Sequence, residues 1–257
     1  MFMTDTPAIK QPPTLSAAVV LHHSPLEQLH GLLVSLDKSA RALGARIPLY
    51  LIDQSQSAAY SEAVQTMTRE VAPITSLQLQ YIARGRNDGY GAGHNTVLDK
   101  ALGDYHLILN PDVELPENAL VQFIRNLTDH PEVMLLAPRG ANEIGEEEHL
   151  AKRYPSVLIL MLRALGSQTL KRLFAKRLAA YELQDLPFEG GFQDVPLLSG
   201  CCMIARSDAL RDVGGFNERF FMYFEDNDLC DRIIKNGKTV VEVPSAKVIH
   251  LENSSSQ

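Results

Sequence analysis

The sequence predicts an α/β fold in which helices cover a mostly parallel β-sheet. From about residue 15 onward, apolar stretches of strand length alternate with longer stretches of helical periodicity, and this alternation is typical of a parallel sheet. Of the 257 residues, 45% are hydrophobic and 21% are charged, which is an ordinary globular balance. The length is enough for one large domain or two small ones.

The first half of the chain alternates regularly between strands and helices. Strands are predicted at residues 15–21, 47–53, 77–82, 105–110 and 133–138. Helices are predicted at residues 26–43, 58–71 and 116–130, and a glycine-rich loop over 84–93 leads into a short helix that ends at residue 102. Pro116 suits a first helical turn, because its missing amide N–H would have no helical partner there.

The second half is less regular. An acidic loop, an apolar strand, a helix and a final strand are predicted at residues 143–149, 195–205, 223–236 and 239–243. Between the acidic loop and the apolar strand, residues 151–180 contain basic side chains and no Asp or Glu, with leucines interleaved at roughly helical spacing. This stretch is either a solvated helix face or an element that makes a peripheral contact with an anionic membrane surface.

Charge and cysteine content exclude several classes of protein. The net charge of −7 argues against nucleic-acid binding by the molecule as a whole. Cys201, Cys202 and Cys230 are odd in number and form no Cys-x-x-Cys, so they predict neither a disulfide framework nor a zinc site, and they favour the cytoplasm. Residues 1–14 read as a flexible N-terminus without the pattern of a signal peptide. The apolar stretch 157–162 is too short to cross a bilayer.

Two carboxylates are expected at the edge of the sheet where α/β proteins bind ligands. Asp53 ends the second predicted strand, and Asp112 follows the fourth in the turn Asn110-Pro111-Asp112. Ligands of open α/β sheets bind beyond the carboxyl ends of the strands. A carboxylate there can hold Mg²⁺ or Mn²⁺ against a diphosphate, because both ions prefer oxygen ligands. The alternative is that Asn-Pro-Asp only forms a turn.

A second candidate is the glycine-rich loop. Glycines at positions 85, 89, 91 and 93 surround Asn87 and precede Asn95. Glycines allow backbone amides to approach a ligand closely, and the N-terminus of the following helix favours phosphate. The spacing is not Gly-x-Gly-x-x-Gly and no Walker lysine follows. An ordinary loop and a phosphate-binding loop both remain open.

The most informative segment is residues 214–232. Glu225, Asp226 and Asp228 lie together at a predicted helix start, beside a run of aromatic side chains. The helix dipole alone would explain acidic residues here, but not the neighbouring aromatic residues. A partly enclosed carboxylate is suited to act as general base towards a sugar hydroxyl.

In their order along the chain, these segments resemble family 2 glycosyltransferases of the GT-A fold, within the bacterial rhamnosyltransferase-like branch. The resemblance covers about residues 15–252 and rests on residues 51–53, 87–95, 110–112, 199–200, 215–232 and His250. It implies a Rossmann-like, mostly parallel sheet flanked by helices, with a smaller acceptor-side region. Residues 15–140 would form the half that binds the nucleotide sugar, and residues 141–257 the acceptor-binding and catalytic half.

The resemblance also implies a role for individual residues. Asp226 would be the catalytic base with Glu225 beside it, and Asp53 would bind the nucleobase. Asp112 would be the main carboxylate for a divalent cation, with His250 as a second metal ligand. The nucleotide-sugar pocket would comprise His22, Asp53, Asn87, Gly89, Gly93, Asn95, Asn110 and Asp112. His22 and Gln54 depart from the residues that are usual in the family.

The implied activity is a single displacement that inverts the anomeric configuration. The donor would be a nucleotide-diphosphate sugar, with dTDP-L-rhamnose favoured by the branch. The acceptor would be a saccharide or a polyprenyl-diphosphate-linked sugar in cell-surface polysaccharide synthesis, reached from the cytoplasm or the inner face of the membrane. A catalytically inactive nucleotide-sugar-binding scaffold is the alternative. A nucleotidyltransferase is disfavoured, because residues 15–26 contain no Gly, Lys or Arg for a triphosphate.

Overall fold

A computed structural model describes residues 13–100, 102–141, 147–148, 150–165, 167–184 and 193–250. Most of the expected flexible N-terminus and most of the expected acidic loop lie outside these residues. The first half contains strands β1 (Leu15–Leu21), β2 (Ile47–Asp53), β3 (Leu77–Ala83), β4 (Tyr105–Leu109), β5 (Val113–Glu114) and β6 (Val133–Ala141). Its helices are α1 (Leu26–Leu43), α2 (Ala58–Val71), α3 (Tyr90–Asn95) and α4 (Ala119–Asp129), with a 3-10 turn at Ala72–Ile74.

The second half contains shorter elements. Its strands are β7 (Glu147–Glu148), β8 (Ala151–Lys152), β9 (Gln193–Asp194), β10 (Leu197–Leu198), β11 (Cys202–Arg206) and β12 (Thr239–His250). Its helices are α5 (Val157–Leu165), α6 (Gln168–Leu173), α7 (Ala175–Tyr181), α8 (Ser207–Asp212) and α9 (Glu225–Lys235). Within the described part of the chain, each helix is too short or too polar to cross a membrane.

The central sheet confirms the predicted α/β class. Its strand order is β3-β2-β1-β4-β11-β6-β12-β5. The first four strands are parallel, and β11 lies antiparallel between β4 and β6. Val19 of β1 lies opposite Leu51 of β2 on one side and Leu109 of β4 on the other. This register brings the carboxyl ends of β1, β2 and β4 to one edge of the sheet.

Burial explains why these segments form the centre of the fold. All residues of β1 are buried, as expected for a parallel strand with helices on both faces. Helix α1 packs one apolar face on the sheet through Leu29, Leu32, Leu33 and Leu36, and it ends at Gly44 in a left-handed conformation that glycine adopts readily. On the other side of the sheet, the buried pair Arg139–Glu242 joins β6 to β12 with an Nη2–Oε2 distance of 2.8 Å.

Three sequence-based expectations are corrected by the structure. The strand predicted at 195–205 is divided in two: β10 pairs with β8 in a separate two-stranded sheet, residues 199–201 border a cavity, and β11 joins the central sheet. The helix expected after the glycine-rich loop begins inside it, at Tyr90, and ends at Asn95. Residues 96–100 continue as turns with backbone bonds from residue i to residue i−3. The basic stretch forms a short strand and three short helices, with the Ser167 hydroxyl accepting a bond from the Leu170 amide at the start of α6.

Candidate active site

A cavity of about 610 Å³ opens at the carboxyl ends of β1, β2 and β4. Of the residues predicted from the sequence, the cavity brings together His22, Asn87, Gly89, Asn110, Asp112, Glu225 and Asp226. A larger and more open depression of about 690 Å³ lies between α1 and α2 and contains none of the predicted residues. Because ligands of α/β sheets bind beyond the carboxyl ends of the strands, the first cavity is the candidate active site.

Asp53 lies beside this cavity rather than in its lining. Its Oδ1 accepts a hydrogen bond from the Ser55 amide (2.8 Å), and its Oδ2 accepts bonds from Ser61 Oγ (2.6 Å) and Tyr81 Oη (2.5 Å). Burial by itself raises the pKa of the Asp53 carboxyl, but these three residues outweigh it and hold the pKa below its usual value. The carboxylate is therefore ionised and engaged by the protein, and its expected contact with a nucleobase stays a prediction.

The glycine-rich loop is held from β2 by a side chain that the sequence analysis noted only as a departure. Gln54 is buried, donates from Nε2 to the Gly89 carbonyl (3.0 Å) and accepts at Oε1 from the Asp88 amide (3.0 Å). Asp88 also pairs with Arg84 and Arg86. This part of the loop is thus fixed in one conformation before any ligand binds.

Two glycines and one asparagine of this loop have packing roles. A Cβ on Gly89, whose φ is +93°, would lie 2.0 Å from the Phe221 carbonyl oxygen. A Cβ on Gly93 would lie 2.5 Å from Val20 Cγ2. Asn95 does not border the cavity; its Nδ2 donates to the Phe216 carbonyl (2.8 Å) and its Oδ1 accepts from the Phe216 amide (2.8 Å). Gly93 and Asn95 therefore stabilise the loop through contacts away from the cavity. Direct contact of either residue with a ligand stays a prediction.

The turn after β4 supplies the candidate metal carboxylate. The Asn110 amide donates to the Cys201 carbonyl (2.8 Å), which fixes the turn, and Asp112 is buried at the cavity wall. The next residue, Val113, pairs with the backbone of His250 at the end of β12. The side chain of His250 lies outside the described residues. The backbone register nevertheless brings position 250 opposite the residue that follows Asp112.

The start of α9 supplies the candidate base. The Asp226 carboxylate accepts bonds from the amides of Gly200 (3.1 Å) and Asn227 (2.7 Å). Burial raises the pKa of Asp226, while these amides and the charge of Lys152 oppose the rise. Burial also raises the pKa of Glu225, and the Asp226 charge adds to this effect.

Two side chains near Asp226 were missed by sequence reasoning. Tyr90 donates a hydrogen bond of 2.6 Å to the carbonyl of Gly200, the residue whose amide binds the Asp226 carboxylate, so it helps to fix Gly200. Lys152 acts on Asp226 through its charge. The only sequence signals were the aromatic residue within the glycine-rich loop and the basic residue that opens the 151–180 stretch.

The cavity suits a divalent cation only with help from a ligand. Among the described residues, no group of three His, Cys, Asp or Glu side chains is placed to hold a metal ion alone. Mg²⁺ and similar ions are commonly held by one or two carboxylates together with substrate phosphates. Asp112, with oxygens of a bound diphosphate and the position of His250, fits that pattern.

The fold and the cavity together define a member of the GT-A class of α/β proteins. Comparison with known families makes this specific: the chain belongs to glycosyl transferase family 2, whose model matches residues 40–214. A model described as the N-terminal domain of galactosyltransferase matches residues 193–254. The resemblance that the sequence motifs indicated is therefore confirmed.

Curated relatives place the chain in the rhamnosyltransferase-like branch. It is 30% identical over 184 residues to the N-acetylglucosaminyl-diphospho-decaprenol L-rhamnosyltransferase of Mycobacterium tuberculosis, covering 67% of this chain and 58% of the relative. It is 25% identical over 184 residues to the rhamnosyltransferase WbbL of Escherichia coli, covering 67% of this chain and 64% of the relative. The match thus spans about three-fifths of the length of these relatives.

Solved structures support the fold. GalNAc-T7 with UDP, GalNAc and Mn²⁺ superposes with a TM-score of 0.68 at 14% identity, covering 96% of this chain and 45% of that chain. The mannosyltransferase PcManGT from Pyrobaculum calidifontis, in complex with GDP-Man and Mn²⁺, gives a TM-score of 0.63 at 14% identity, covering 96% and 59%. At this level of identity, the likeness establishes the shared GT-A architecture.

Proposed function

We propose that this protein transfers a sugar from a nucleotide diphosphate to a hydroxyl group of an acceptor, with inversion at the anomeric carbon. The observation that supports it best is the meeting of Asp112 and Asp226 in one cavity at the carboxyl edge of the sheet. In this proposal, Asp112 serves the leaving diphosphate and Asp226 serves the attacking hydroxyl. Residues 15–140 form the donor half in this proposal, and residues 141–257 form the acceptor half.

The relatives suggest which substrates to try first. Because two of these relatives are rhamnosyltransferases, we propose dTDP-L-rhamnose as the first donor to test. The name of the mycobacterial relative favours a polyprenyl-diphosphate-linked N-acetylglucosamine as the acceptor to test. The product would contribute to a cell-surface polysaccharide made on the cytoplasmic side of the membrane.

The residues of this chain divide the chemistry between them. Asp226 removes the acceptor proton, and its raised pKa strengthens it as a base while the Gly200 amide fixes its direction. Asp112 and His250 would hold Mg²⁺ or Mn²⁺, which supplies charge neutralisation for the departing diphosphate. The loop fixed by Gln54 presents Asn87 and Gly89 to the donor side of the cavity. A single displacement between these two sides inverts the configuration.

The test compares two acid-to-amide changes in the same helical turn. Asp226→Asn should lower turnover at least about a hundredfold, as expected for loss of a general base, with donor affinity nearly unchanged. Asp228→Asn is the matched control, because Asp228 pairs with Arg232 at 2.6 Å outside the cavity. A chelator should abolish turnover of the parent protein, and Asp112→Ala should weaken donor binding in Mn²⁺.

Two outcomes would contradict the proposed mechanism, and a third would favour the alternative function. Near-parental turnover of Asp226→Asn would exclude Asp226 as the base, and turnover unaffected by chelator would exclude the metal-dependent mechanism. The alternative function, a nucleotide-sugar-binding scaffold, predicts that labelled donor binds but that no sugar reaches any acceptor.

We propose in addition that residues 151–180 contact an anionic membrane surface. Helix α5 buries Ile159 and Leu162 and exposes apolar side chains on its other face, namely Val157, Leu160, Met161 and Leu165. These positions follow helical spacing, so they form one apolar stripe. Arg172, Lys176 and Arg177 are exposed on the following helices, in a stretch without acidic residues. An apolar stripe next to cations fits a surface of anionic lipid.

A further inference from the structure

A run of exposed apolar side chains borders the cavity directly before the candidate base. We call Phe221, Met222, Tyr223 and Phe224 the aromatic segment; each of these residues is between 47% and 61% exposed. The first three border the same cavity as Asp112 and Asp226. Four consecutive large apolar residues on the surface indicate a contact with a ligand or partner, because single exposed residues are common and contiguous patches are not.

The backbone holds this segment in an unfavourable conformation. Tyr223 and Phe224 both have φ of +69°, in the left-handed region that residues with a Cβ rarely adopt. Strain of this kind persists where the surroundings impose it, and it is concentrated at functional sites.

Contacts at both ends impose the conformation. The Phe221 carbonyl accepts a bond from the Tyr90 amide (3.2 Å), at the place where Gly89 leaves room for it. The Phe224 carbonyl accepts a bond from the Asp228 amide (2.9 Å) in the first turn of α9. The segment is thus fixed between the glycine-rich loop and the helix of the base, while its side chains remain exposed to solvent.

We infer that the aromatic segment is the acceptor platform: the apolar C–H face of the acceptor sugar packs on it and so presents a hydroxyl to Asp226. The same side of the cavity also contains the polar side chains of Ser199, Glu225 and Asp226. A ligand with one apolar face and several hydroxyls suits this combination, whereas a hydrocarbon chain does not. The inference rests on the proposed function and names the residues that select its acceptor.

The positive φ of Tyr223 makes Tyr223→Gly a suitable variant for testing this inference. Glycine adopts positive φ without penalty, so the variant should melt at a temperature no lower than that of the parent. Loss of the Tyr223 ring should nevertheless raise the acceptor KM about tenfold and change kcat little. This pattern is expected when a side chain contributes equally to binding of the ground state and of the transition state. Tyr223→Phe keeps the ring and should behave as the parent does. Ile74→Ala, at a residue 74% exposed and remote from the cavity, is the control for removal of an exposed apolar side chain.

Binding is measured separately from turnover. Saturation-transfer NMR with methyl β-N-acetylglucosaminide should show that the C–H groups of the sugar ring contact the protein in the parent and in Ile74→Ala. The same signal should be weaker in Tyr223→Gly. Donor affinity, measured by calorimetry with Mn²⁺, should be equal in all of these proteins. An acceptor affinity of Tyr223→Gly within twofold of the parent overturns the platform, as does competition by a short prenyl phosphate but by no saccharide. A parent protein that binds no nucleotide sugar refutes the proposed function instead.

Discussion

Gln54 shows at the scale of one residue how a departure from the usual family pattern is accommodated. Its amide makes two hydrogen bonds to the backbone of the glycine-rich loop, and it packs against Gly93, where a Cβ would lie 2.9 Å from Nε2. The side chain is 1% exposed, so neither bond is readily replaced by one to solvent. Gln54, which itself borders the cavity, therefore positions the glycine-rich loop on the donor side.

We predict that Gln54→Ala weakens donor binding about tenfold. The part-buried Asp88 amide would lose its partner, at a cost of about 1–3 kcal/mol, whereas the Gly89 carbonyl would keep its bond from the Gly93 amide. The acceptor KM should change little, since the acceptor side of the cavity is held by other contacts. Calorimetric titration with the nucleotide sugar measures the first quantity and steady-state kinetics the second. Gln78→Ala, at an exposed glutamine of β3, is the matched control. Equal donor affinities in the two variants would refute the positioning role.

Single residues also show what the sequence could and could not predict about the site. Asp112, Glu225 and Asp226 were identified because their residue types and their places after a strand or before a helix follow from local pattern. Engagement of Asp53 by Tyr81 could not be inferred, because the two residues lie on different strands and meet only through the register of the sheet. For the same reason, sequence alone did not reveal the bond between Tyr90 and Gly200, which are 110 positions apart.

At the scale of elements, prediction was best where one periodicity continued through a whole segment. The helix at 26–43 and the strand at 47–53 have the predicted bounds, since a long apolar stripe or a continuous buried run determines them. The single strand expected at 195–205 was wrong, because β10 pairs with β8 in a separate two-stranded sheet and residues 199–201 line the cavity before β11 joins the central sheet. Apolar composition indicates that a segment is buried, but it does not indicate which strand or cavity the segment contacts.

Helix α5 offers a test of the membrane proposal at this scale. Replacing Val157, Leu160 and Met161 with Ser should reduce co-sedimentation with vesicles that contain anionic lipid, because these side chains would supply the inserted apolar area. Replacing Lys171, Arg172, Lys176 and Arg177 with Gln should reduce the same binding, and more so at low salt, since each cation contributes about 1 kcal/mol near an anionic surface. Donor affinity should stay at the parental value in both variants.

The control for α5 lies on the donor half. Ile74 is as exposed as Val157, at 74%, and Ile74→Ser should leave vesicle binding unchanged. Equal sedimentation of parent and both multiple variants on anionic vesicles would return residues 151–180 to an ordinary solvated surface.

At the scale of the whole molecule, acidification should remove activity and unfold the protein at different pH values, because the carboxyl groups involved have pKa shifts of opposite sign. Burial raises the pKa of Asp226, so its base form is lost as pH falls through a value above the ordinary 3.8. Asp37 shows the opposite behaviour. Burial alone would raise its pKa, but hydrogen bonds from Ser76, Arg41 and Thr75 lower it to about 2.

The signs of these two shifts fix the order of events. A carboxyl group whose folded pKa is lowered stabilises the fold at pH above its unfolded value, and that contribution is lost as pH falls from about 3.8 towards about 2. A carboxyl group whose folded pKa is raised, such as Asp226, makes the ionised fold less stable, and protonation relieves this cost. Acidification should therefore abolish the proposed transferase activity before it removes the contribution of Asp37.

We predict a pH interval above 3.8 in which the protein is folded but inactive. Turnover should decline there while near-ultraviolet circular dichroism stays native, and return to neutral pH should restore activity fully. Asp37→Asn should move the acid unfolding transition and leave the acid limb of kcat in place, because Asp37 lies on α1, remote from the cavity. If turnover and the dichroism signal decline together, or if Asp37→Asn moves both transitions equally, inactivation is unfolding and protonation of Asp226 does not control the rate.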